Sequence, residues 1–309
     1  MPEGPEVRKY ADALGKALDG KHILEIAART KAAKGWLAEH PGLLVGRRIE
    51  RIWAHGKNLL GEIEGGYYFH SHLMMWGRWV IVEGDEPIPA DRRERARIQV
   101  PGVTALLWSA PVFELGRGNP MELDAYLNTL GPDALPYAGD FDRETFLRHL
   151  DNPARSHETI GAALLDQTII AGIGNYLRAE ILFDCRLDPW RPLSELTEAD
   201  RDCLCRTVPL MVRRAYETGA TATDAFRELM AQDETLVYQP GKEIGTRHHV
   251  FRRTNLPCLV CGGPIRQLRQ VTRQDEEGER TRIIYFCPVC QKTSVPLKPV
   301  RKPRKVVTP

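Results

Sequence analysis

The first residues of the chain, MPEGPE, place an unusual amine and two carboxyl groups within six positions. If Met1 is removed, Pro2 carries a free secondary α-amine. Such an amine has a pKa of about 8, against about 10.4 for the side chain of lysine, so a usable fraction of it is unprotonated at neutral pH. Attack on an aldehyde-level carbon, such as C1′ of a deoxyribose, would give an iminium cation that promotes elimination of phosphate. The N-terminus therefore predicts a Schiff-base nucleophile at Pro2.

Glu3 and Glu6 are the carboxyl groups nearest to that amine. Glu3 as an acid could protonate a leaving base or ring oxygen, and its carboxylate could later move protons. Glu6 would lie in the first turn of the following helix, where it could orient the amine or stabilise the helix N-terminus. The alternative is purely structural, because acidic residues and proline are common at helix N-termini.

Four of the seven cysteines form the pairs CLVC and CPVC, which are separated by twenty-five residues. Two residues between thiolates let both reach one ion, and two such pairs complete a tetrahedral site for a structural Zn²⁺. Two extended runs around a DEEGE turn lie between the pairs and predict a zinc ribbon built on a β-hairpin. The expected ligands are Cys258, Cys261, Cys287 and Cys290. Two disulfides are the alternative. The other cysteines are expected to be small core residues: Cys185, Cys203 and Cys205.

The charge is distributed unevenly. From residue 241 to residue 309, fifteen lysines and arginines accompany five acidic residues, so this part carries +10 and the remainder −8. This asymmetry predicts contact with a polyanion, most commonly nucleic acid. Arginines along the proposed hairpin could bind backbone phosphates, or they could only keep the hairpin soluble.

The chain has no apolar run of the roughly twenty residues that a membrane span needs and no signal-peptide pattern, so we expect no membrane partner and a cytoplasmic location.

The pattern of residue types changes near the middle of the chain. Short apolar runs broken by turn residues fill residues 21–107 and predict an all-β sandwich or barrel after a first helix. Glycine, proline and aspartate clusters at 122–146 are typical of an interdomain linker. Two helical stretches follow, HETIGAALLDQ and NYLRAEILF, and the turn AGIGN joins them. The second helix would present free N–H groups and Asn175 to a phosphate, although a glycine turn between helices is often only a connection. A later helical run is expected to kink or break at Pro209.

Four motifs, in the same order, resemble those of the formamidopyrimidine-DNA glycosylase and endonuclease VIII family of base-excision repair enzymes. They are PEGPE at the N-terminus, HGKNLL at 55–60, LLDQ followed by AGIGNYLRAE at 164–180, and CxxC followed by FCPVCQ at 286–291. The resemblance spans nearly the whole chain. It implies a DNA glycosylase with AP lyase activity that cleaves by β- and δ-elimination.

The resemblance also implies roles for the matching residues at the reaction centre. Pro2 would be the nucleophile and Glu3 the general acid and base, with Glu6 completing the N-terminal site. Lys57 would lie near the sugar and its phosphate; the alternative for this lysine is a solvated turn residue.

Several further residues are implied to bind DNA. Asn175 and Arg282 would hold backbone phosphates from two elements, which kinks the duplex and favours an extrahelical nucleotide. HSHLMMWGRW matches the strand and loop that fill the space left by the flipped base, and Met75 is the preferred wedge. The residues in this segment are His72, Met74, Met75 and Trp76. The alternative for the methionines and the tryptophan is a place in a core strand. His72 would contact phosphate, with a zinc or core role as its alternative.

The resemblance supports two branches of the family, which remove different damaged bases. PEGPE and GNYLRAEIL favour the endonuclease VIII branch, which removes oxidised pyrimidines. Residues 232–249 are long enough for a lesion-covering loop of the purine branch, MMW departs from the QLY-like wedge of endonuclease VIII, and His157 stands near the position of a purine-branch lysine. An oxidised-purine glycosylase is therefore the first alternative. A non-catalytic module that only binds damaged DNA is the second.

Together these features predict an α+β protein of two domains: an N-terminal antiparallel β-sandwich with a flanking helix, then a helix-two-turn-helix bundle with a zinc β-hairpin. The expected boundaries are 1–125 for the sandwich, 126–245 for the helical domain, 246–295 for the zinc ribbon and 296–309 for a basic, disordered tail. The expected partner is double-stranded DNA that contains oxidised bases or abasic sites. The protein is expected to act as a monomer in a bacterial cytosol.

Overall fold

The computed structural model describes residues 2–84, 88, 91–238, 243–276 and 278–297. The N-terminal half starts with helix α1 (Gly4–Leu18), and all but one of its other elements are strands. These elements are β1 (Glu25–Ala28), α2 (Lys31–Glu39), β2 (Ile49–His55), β3 (Asn58–Ile63), β4 (Tyr67–His72), β5 (Arg78–Glu83), β6 (Glu94–Val100), β7 (Val103–Trp108) and β8 (Val112–Arg117).

The strands form two antiparallel sheets, ordered β1-β6-β7-β5 and β2-β3-β4-β8. Burial alternates strictly along β6, as expected for a strand with one face on a core. Phe69 from one sheet packs against Trp79 from the other, with ring centroids 6.2 Å apart, and one face of α1 joins the same core through Val7 and Leu14. The predicted β-sandwich with a flanking helix is confirmed.

Helix α2 was not expected within the run of short strands. Its sequence, KAAKGWLAE, contains an internal glycine and buries only Ala33 completely, so its helical periodicity is weak. Trp36 and Leu37 nevertheless pack against the sandwich core. The helix is therefore stabilised by tertiary contacts rather than by its own pattern.

The C-terminal half is helical up to residue 232. Its α-helices are α3 (Pro120–Leu123), α4 (Arg143–Leu150), α5 (Ile160–Ala163), α6 (Asn175–Asp184), α7 (Glu198–Thr218) and α8 (Asp224–Gln232), and short 3₁₀ helices lie between and after them. The predicted helix in HETIGAALLDQ is only the short α5. Helix α7 continues through Pro209, so the chain does not break there and the alternative, a kink, stays a prediction; Val208, Met211 and Val212 are buried around the proline. Their packing compensates for the backbone hydrogen bond that the proline cannot donate.

Strands β9 (Arg266–Asp275) and β10 (Gly278–Phe286) form the predicted antiparallel hairpin, and Ile284 and Phe286 anchor it in the helical core. Cys185 packs against the helical core and Cys205 is buried in it, as expected, but Cys185 and Cys203 are joined in a disulfide that the sequence analysis did not predict. Residues 298–309, most of the predicted tail, lie outside the described part of the chain. No helix within the described residues is long and apolar enough to cross a membrane.

Candidate active site

Three glycine-containing turns meet where the two halves of the chain touch. The amide of Gly4, at the start of α1, donates a hydrogen bond to the carbonyl oxygen of Gly172 at 2.8 Å. Gly56, in the turn between β2 and β3, has a φ of +56°, and a Cβ atom at this position would lie 2.7 Å from the amide nitrogen of Gly172. Gly172 itself has a φ of +104°. The motifs PEGPE, HGKNLL and AGIGN therefore converge because their glycines allow this close backbone approach.

The carboxylate of Glu3 caps helix α6. It accepts hydrogen bonds from the backbone amides of Gly174 at 2.8 Å, Tyr176 at 2.9 Å and Leu177 at 3.2 Å, and Glu3 is only 2% exposed. Burial raises the pKa of Glu3 to about 7, although the Lys57 ammonium and the amide of Tyr176 act in the opposite direction. A carboxyl group with that pKa can both donate and accept a proton near neutral pH.

Glu6 fixes the backbone next to Pro2. Its Oε2 accepts a hydrogen bond from the amide of Glu3 at 2.8 Å, and its Oε1 accepts one from the hydroxyl group of Tyr176 at 3.1 Å. Glu6 is thus tied to both α1 and α6. This arrangement suits a residue that positions the N-terminus.

Lys57 reaches across the boundary between the two halves. Its Nζ donates to the carbonyl oxygen of Ile173 at 2.6 Å, and Nε2 of Gln167 donates to the same oxygen at 3.0 Å. Burial lowers the pKa of Lys57, and the Glu3 carboxylate opposes that shift. The alternative for Lys57 was a solvated turn residue. The side chain is instead buried where the three turns meet.

A cavity of about 1000 Å³ opens beside these residues. Pro2, Glu3, Glu6 and Asn175 all line it, as does Met75 from the loop between β4 and β5. Asn175 is the first residue of α6, and its Oδ1 accepts a hydrogen bond from the Arg178 guanidinium at 3.3 Å. The structure therefore brings the N-terminal residues, Asn175 and Met75 together around one space.

Sequence reasoning missed Arg178, which joins α6 to the hairpin. It is fully buried, and its guanidinium donates to the carbonyl oxygens of Gly161 and Ile283, each at 2.9 Å, and to Oε1 of Gln270 at 3.1 Å. Burial lowers the pKa of Arg178 to about 9, opposed by Glu3. The signal in the sequence was a charged residue among the apolar residues of NYLRAEILF, because a buried arginine needs several acceptors.

Arg282 precedes Ile283, the hairpin residue whose carbonyl oxygen accepts from Arg178. It is an exposed residue of β10, opposite Gln270 in the hairpin register, and it follows a β-bulge at Arg280 and Thr281. Its charge contributes to lowering the pKa values of both Lys57 and Arg178. The hairpin arginine thus belongs to the same electrostatic environment as Lys57 and Arg178, although it comes from a distant part of the sequence.

The predicted wedge segment is a loop rather than a core strand. Met74, Met75 and Trp76 are 49%, 59% and 78% exposed, and of these three only Met75 lines the cavity. Nδ1 of His72 accepts a hydrogen bond from the amide of Met74 at 3.1 Å. Burial lowers the pKa of His72 to about 4, so its ring is neutral at pH 7 and Nε2 carries the proton.

The four cysteines of the two CxxC pairs meet at the base of the hairpin. Their sulfur atoms all lie within 4.8 Å of one another, with Cys258 and Cys290 3.8 Å apart and Cys261 and Cys287 3.4 Å apart. Four thiolates bound to Zn²⁺ at about 2.3 Å are separated by roughly 3.8 Å, so the cluster fits a tetrahedral metal ion. The amide side chain of Gln291 connects this cluster to the helical core by donating to the carbonyl oxygen of Leu187 at 2.8 Å.

Comparison with known proteins places this geometry in a family. Residues 1–109 match the formamidopyrimidine-DNA glycosylase N-terminal domain, and residues 130–227 match the formamidopyrimidine-DNA glycosylase H2TH domain. The chain is 31% identical to Endonuclease 8 from Klebsiella pneumoniae over 293 residues, and 30% identical to Endonuclease 8 from Enterobacter sp. over 294 residues. Each alignment covers 94% of this chain and 100% of the relative.

Solved structures agree in fold. The Fpg protein of Lactococcus lactis in complex with DNA containing an abasic site superimposes with a TM-score of 0.71 at 23% identity, covering 94% of this chain and 99% of that one. A mutant of the same protein with DNA containing Fapy-dG gives 0.72 at 24% identity, covering 94% and 100%. With both family domains matched and whole relatives aligned, the chain belongs to the formamidopyrimidine-DNA glycosylase and endonuclease VIII family of DNA repair glycosylases.

Proposed function

We propose that this protein is a base-excision repair DNA glycosylase with AP lyase activity, which uses the α-amine of Pro2 as its nucleophile. The observation that carries this proposal is the environment of Glu3. A carboxyl group with a pKa near neutrality is held by three backbone amides beside Pro2, at the edge of a cavity large enough for a nucleotide. Such a group can protonate a leaving base and then act as a base itself.

The proposed reaction follows from that arrangement. The nitrogen of Pro2 attacks C1′ of the deoxyribose, the bond from C1′ to the base breaks, and Glu3 supplies the proton that the departing base needs. The sugar ring opens to leave an iminium cation on Pro2. Loss of the C2′ proton expels the 3′ phosphate, and a second elimination expels the 5′ phosphate. Water then releases the sugar remnant, which leaves a one-nucleoside gap.

Polar groups around the cavity suit the binding of DNA phosphates. Because Oδ1 of Asn175 accepts from Arg178, the amide NH₂ group of Asn175 is left to donate to a phosphate. The Nε2–H group of neutral His72 can do the same, and Arg282 can bind a neighbouring phosphate from the hairpin. We assign Lys57 to the sugar and its phosphate. Met75 would enter the stack where the damaged nucleotide leaves it.

The cysteine cluster would hold a structural Zn²⁺, which cross-links the two ends of the hairpin and fixes the position of Arg282. The proposed partner is double-stranded DNA containing oxidised bases or abasic sites, bound by a monomer in the cytoplasm. The solved relatives, described as complexes with damaged DNA, support the choice of partner.

Oxidised pyrimidines are the proposed lesion class. The support is the similarity to proteins named Endonuclease 8, which reaches 31% identity over 94% of this chain, above the 24% found for the Fpg structures. Oxidised purines are the alternative, and defined lesions in otherwise identical duplexes distinguish the two.

Borohydride trapping on a duplex with one abasic site tests the mechanism. We expect a covalent complex whose linked peptide, identified by mass spectrometry, begins at Pro2. The Pro2→Gly variant should trap far less, with Pro5→Gly as a matched control that removes a nearby proline, in the first turn of α1, and leaves the terminal amine in place. If a protein that begins at Pro2 binds this duplex without trapping, the proposal is wrong and a non-catalytic damage-binding module is the better interpretation.

A further inference from the structure

One wall of the cavity is aromatic and contains a histidine that the proposed mechanism does not use. The ring of His248 lies 5.2 Å from that of Tyr176 and 5.3 Å from that of Phe251, measured between centroids. All three residues line the cavity together with Pro2. Aromatic rings that line a cavity offer faces on which a base can stack.

A buried carboxylate holds the segment that carries this histidine. Glu180 of α6 is fully buried and accepts hydrogen bonds from the amides of His249 at 2.8 Å, Val250 at 2.8 Å and Phe251 at 2.9 Å. Burial alone would raise the pKa of Glu180, but its hydrogen bonds and the nearby histidines hold that pKa well below its usual range. Glu180 is therefore an ionised acceptor with no proton to donate.

A threonine connects Glu180 to His248. The hydroxyl group of Thr221 lies 2.8 Å from Oε2 of Glu180 and 2.8 Å from Nδ1 of His248. A hydroxyl group has only one proton, and the ionised carboxylate at 2.8 Å takes it in preference to the carbonyl oxygen of Arg247, which lies 3.2 Å from the same hydroxyl group. The oxygen of Thr221 must then accept from Nδ1–H of His248, which fixes the tautomer of a neutral ring.

The other ring nitrogen is consequently an acceptor. Burial lowers the pKa of His248 to about 4, so the ring is neutral at pH 7 and Nε2 carries a lone pair. Nε2 makes no hydrogen bond to any residue in the described part of the chain. Among the side chains of the aromatic wall, His248 thus offers a directed acceptor to a ligand in the cavity.

We propose that Nε2 of His248 accepts a hydrogen bond from a ring N–H of the extrahelical base, and so selects damaged bases of the uracil and thymine type. These bases carry N3–H, whereas cytosine-type lesions present a lone pair at N3 that would oppose the lone pair of Nε2. This inference rests on the proposed glycosylase function and adds a specificity-determining residue to it.

A matched pair of lesions tests the inference. Single-turnover excision of 5-hydroxyuracil and 5-hydroxycytosine, each opposite guanine in one duplex sequence, gives a ratio of rates for each protein. We expect the wild-type ratio to favour 5-hydroxyuracil, and His248→Phe, which keeps an aromatic ring, to lower it about tenfold. Thr221→Val should also lower the ratio, because it removes the oxygen that accepts from Nδ1–H and so no longer fixes the tautomer of His248. Thr221→Ser keeps that oxygen and should preserve the ratio. His22→Phe, an exposed histidine of the sandwich, is the matched control.

The outcomes separate this inference from the proposed function. Each excision rate is divided by the same variant's lyase rate on a preformed abasic site, so a general loss of activity cancels. Lyase activity with no preference of the wild type for 5-hydroxyuracil overturns the inference without any variant. A wild-type preference that survives both His248→Phe and Thr221→Val overturns it equally. Absence of trapping and lyase activity in the wild type contradicts the proposed function instead.

Discussion

Glu3 and Tyr176 are separated by more than half of the chain, yet Oε1 of Glu3 accepts a hydrogen bond from the backbone amide of Tyr176 at 2.9 Å. This contact places a carboxyl group of the sandwich half at the N-terminus of α6 in the helical half. The partial positive charge of a helix N-terminus stabilises a carboxylate, while burial favours the neutral acid. Burial is the largest influence and raises the pKa of Glu3 to about 7, opposed by the Lys57 ammonium and by the amide of Tyr176.

The first prediction concerns the pH dependence of base excision. If protonated Glu3 supplies the proton to the leaving base, single-turnover excision by the wild type should rise with pH and bend to a plateau at about 7, the pKa of Glu3. Above that inflection the loss of protonated Glu3 offsets the gain of unprotonated Pro2, whose amine has a pKa of about 8. Glu3→Gln should be slower by about 10²- to 10⁴-fold and should lose this inflection. An unchanged inflection in Glu3→Gln would assign the titration to another group.

The raised pKa of Glu3 also makes the stability of the folded protein depend on pH. The folded pKa of Glu3 lies above the ordinary value of 4.5, so the folded state binds more protons between pH 4.5 and 7. Relative to Glu3→Gln, the wild type should therefore lose stability as the pH rises through that window, and the difference should be constant above it. Thermal denaturation of both proteins across this pH range measures the effect.

The second prediction concerns Arg178. Arg178→Met would leave the carbonyl oxygens of Gly161 and Ile283 and the side chain of Gln270 without their donor. Each such loss costs about 1–3 kcal/mol, so we expect the free energy of unfolding to fall by at least about 3 kcal/mol. Arg143→Met, which breaks an exposed ion pair with Asp202, should cost less than about 1 kcal/mol. Similar losses in the two variants, measured by urea denaturation, would contradict this role for Arg178.

The third prediction concerns the metal. Atomic absorption should find one zinc ion per chain, and Cys261→Ser should lower that content, whereas Cys205→Ser, a free cysteine outside the cluster, should retain it. Chelation should lower both the melting temperature and the affinity for DNA, because the hairpin carries Arg282 and also contributes Ile284 and Phe286 to the core. Full DNA affinity in metal-free protein would argue against a structural zinc.

The fourth prediction concerns the wedge. Met75→Ala should weaken binding to an abasic duplex by about 1–3 kcal/mol, because the methionine would replace lost base stacking. Met74→Ala should have a smaller effect, since this neighbouring side chain does not line the cavity. Fluorescence anisotropy at one fixed salt concentration compares the two, and a larger effect at Met74 would reassign the wedge.

The sequence alone determined the motifs and most of the elements. The amine of Pro2, the paired cysteines and the alternation of the strands depend on residue type and short spacing, which are readable without coordinates. Helix α1, helix α6 and the β9–β10 hairpin were predicted for that reason. Helix α2 and the continuity of α7 through Pro209 were not, because packing against the core outweighs their local propensities.

Only the tertiary structure decided how the motifs cooperate. The pKa of Glu3, the connection made by Arg178 and the tautomer of His248 all depend on partners distant in sequence, and no local pattern encodes those contacts. The same was true of the Cys185–Cys203 disulfide. Hydrogen bonds and burial act over a few ångströms in space, so their consequences are set once the two halves of the chain are brought together.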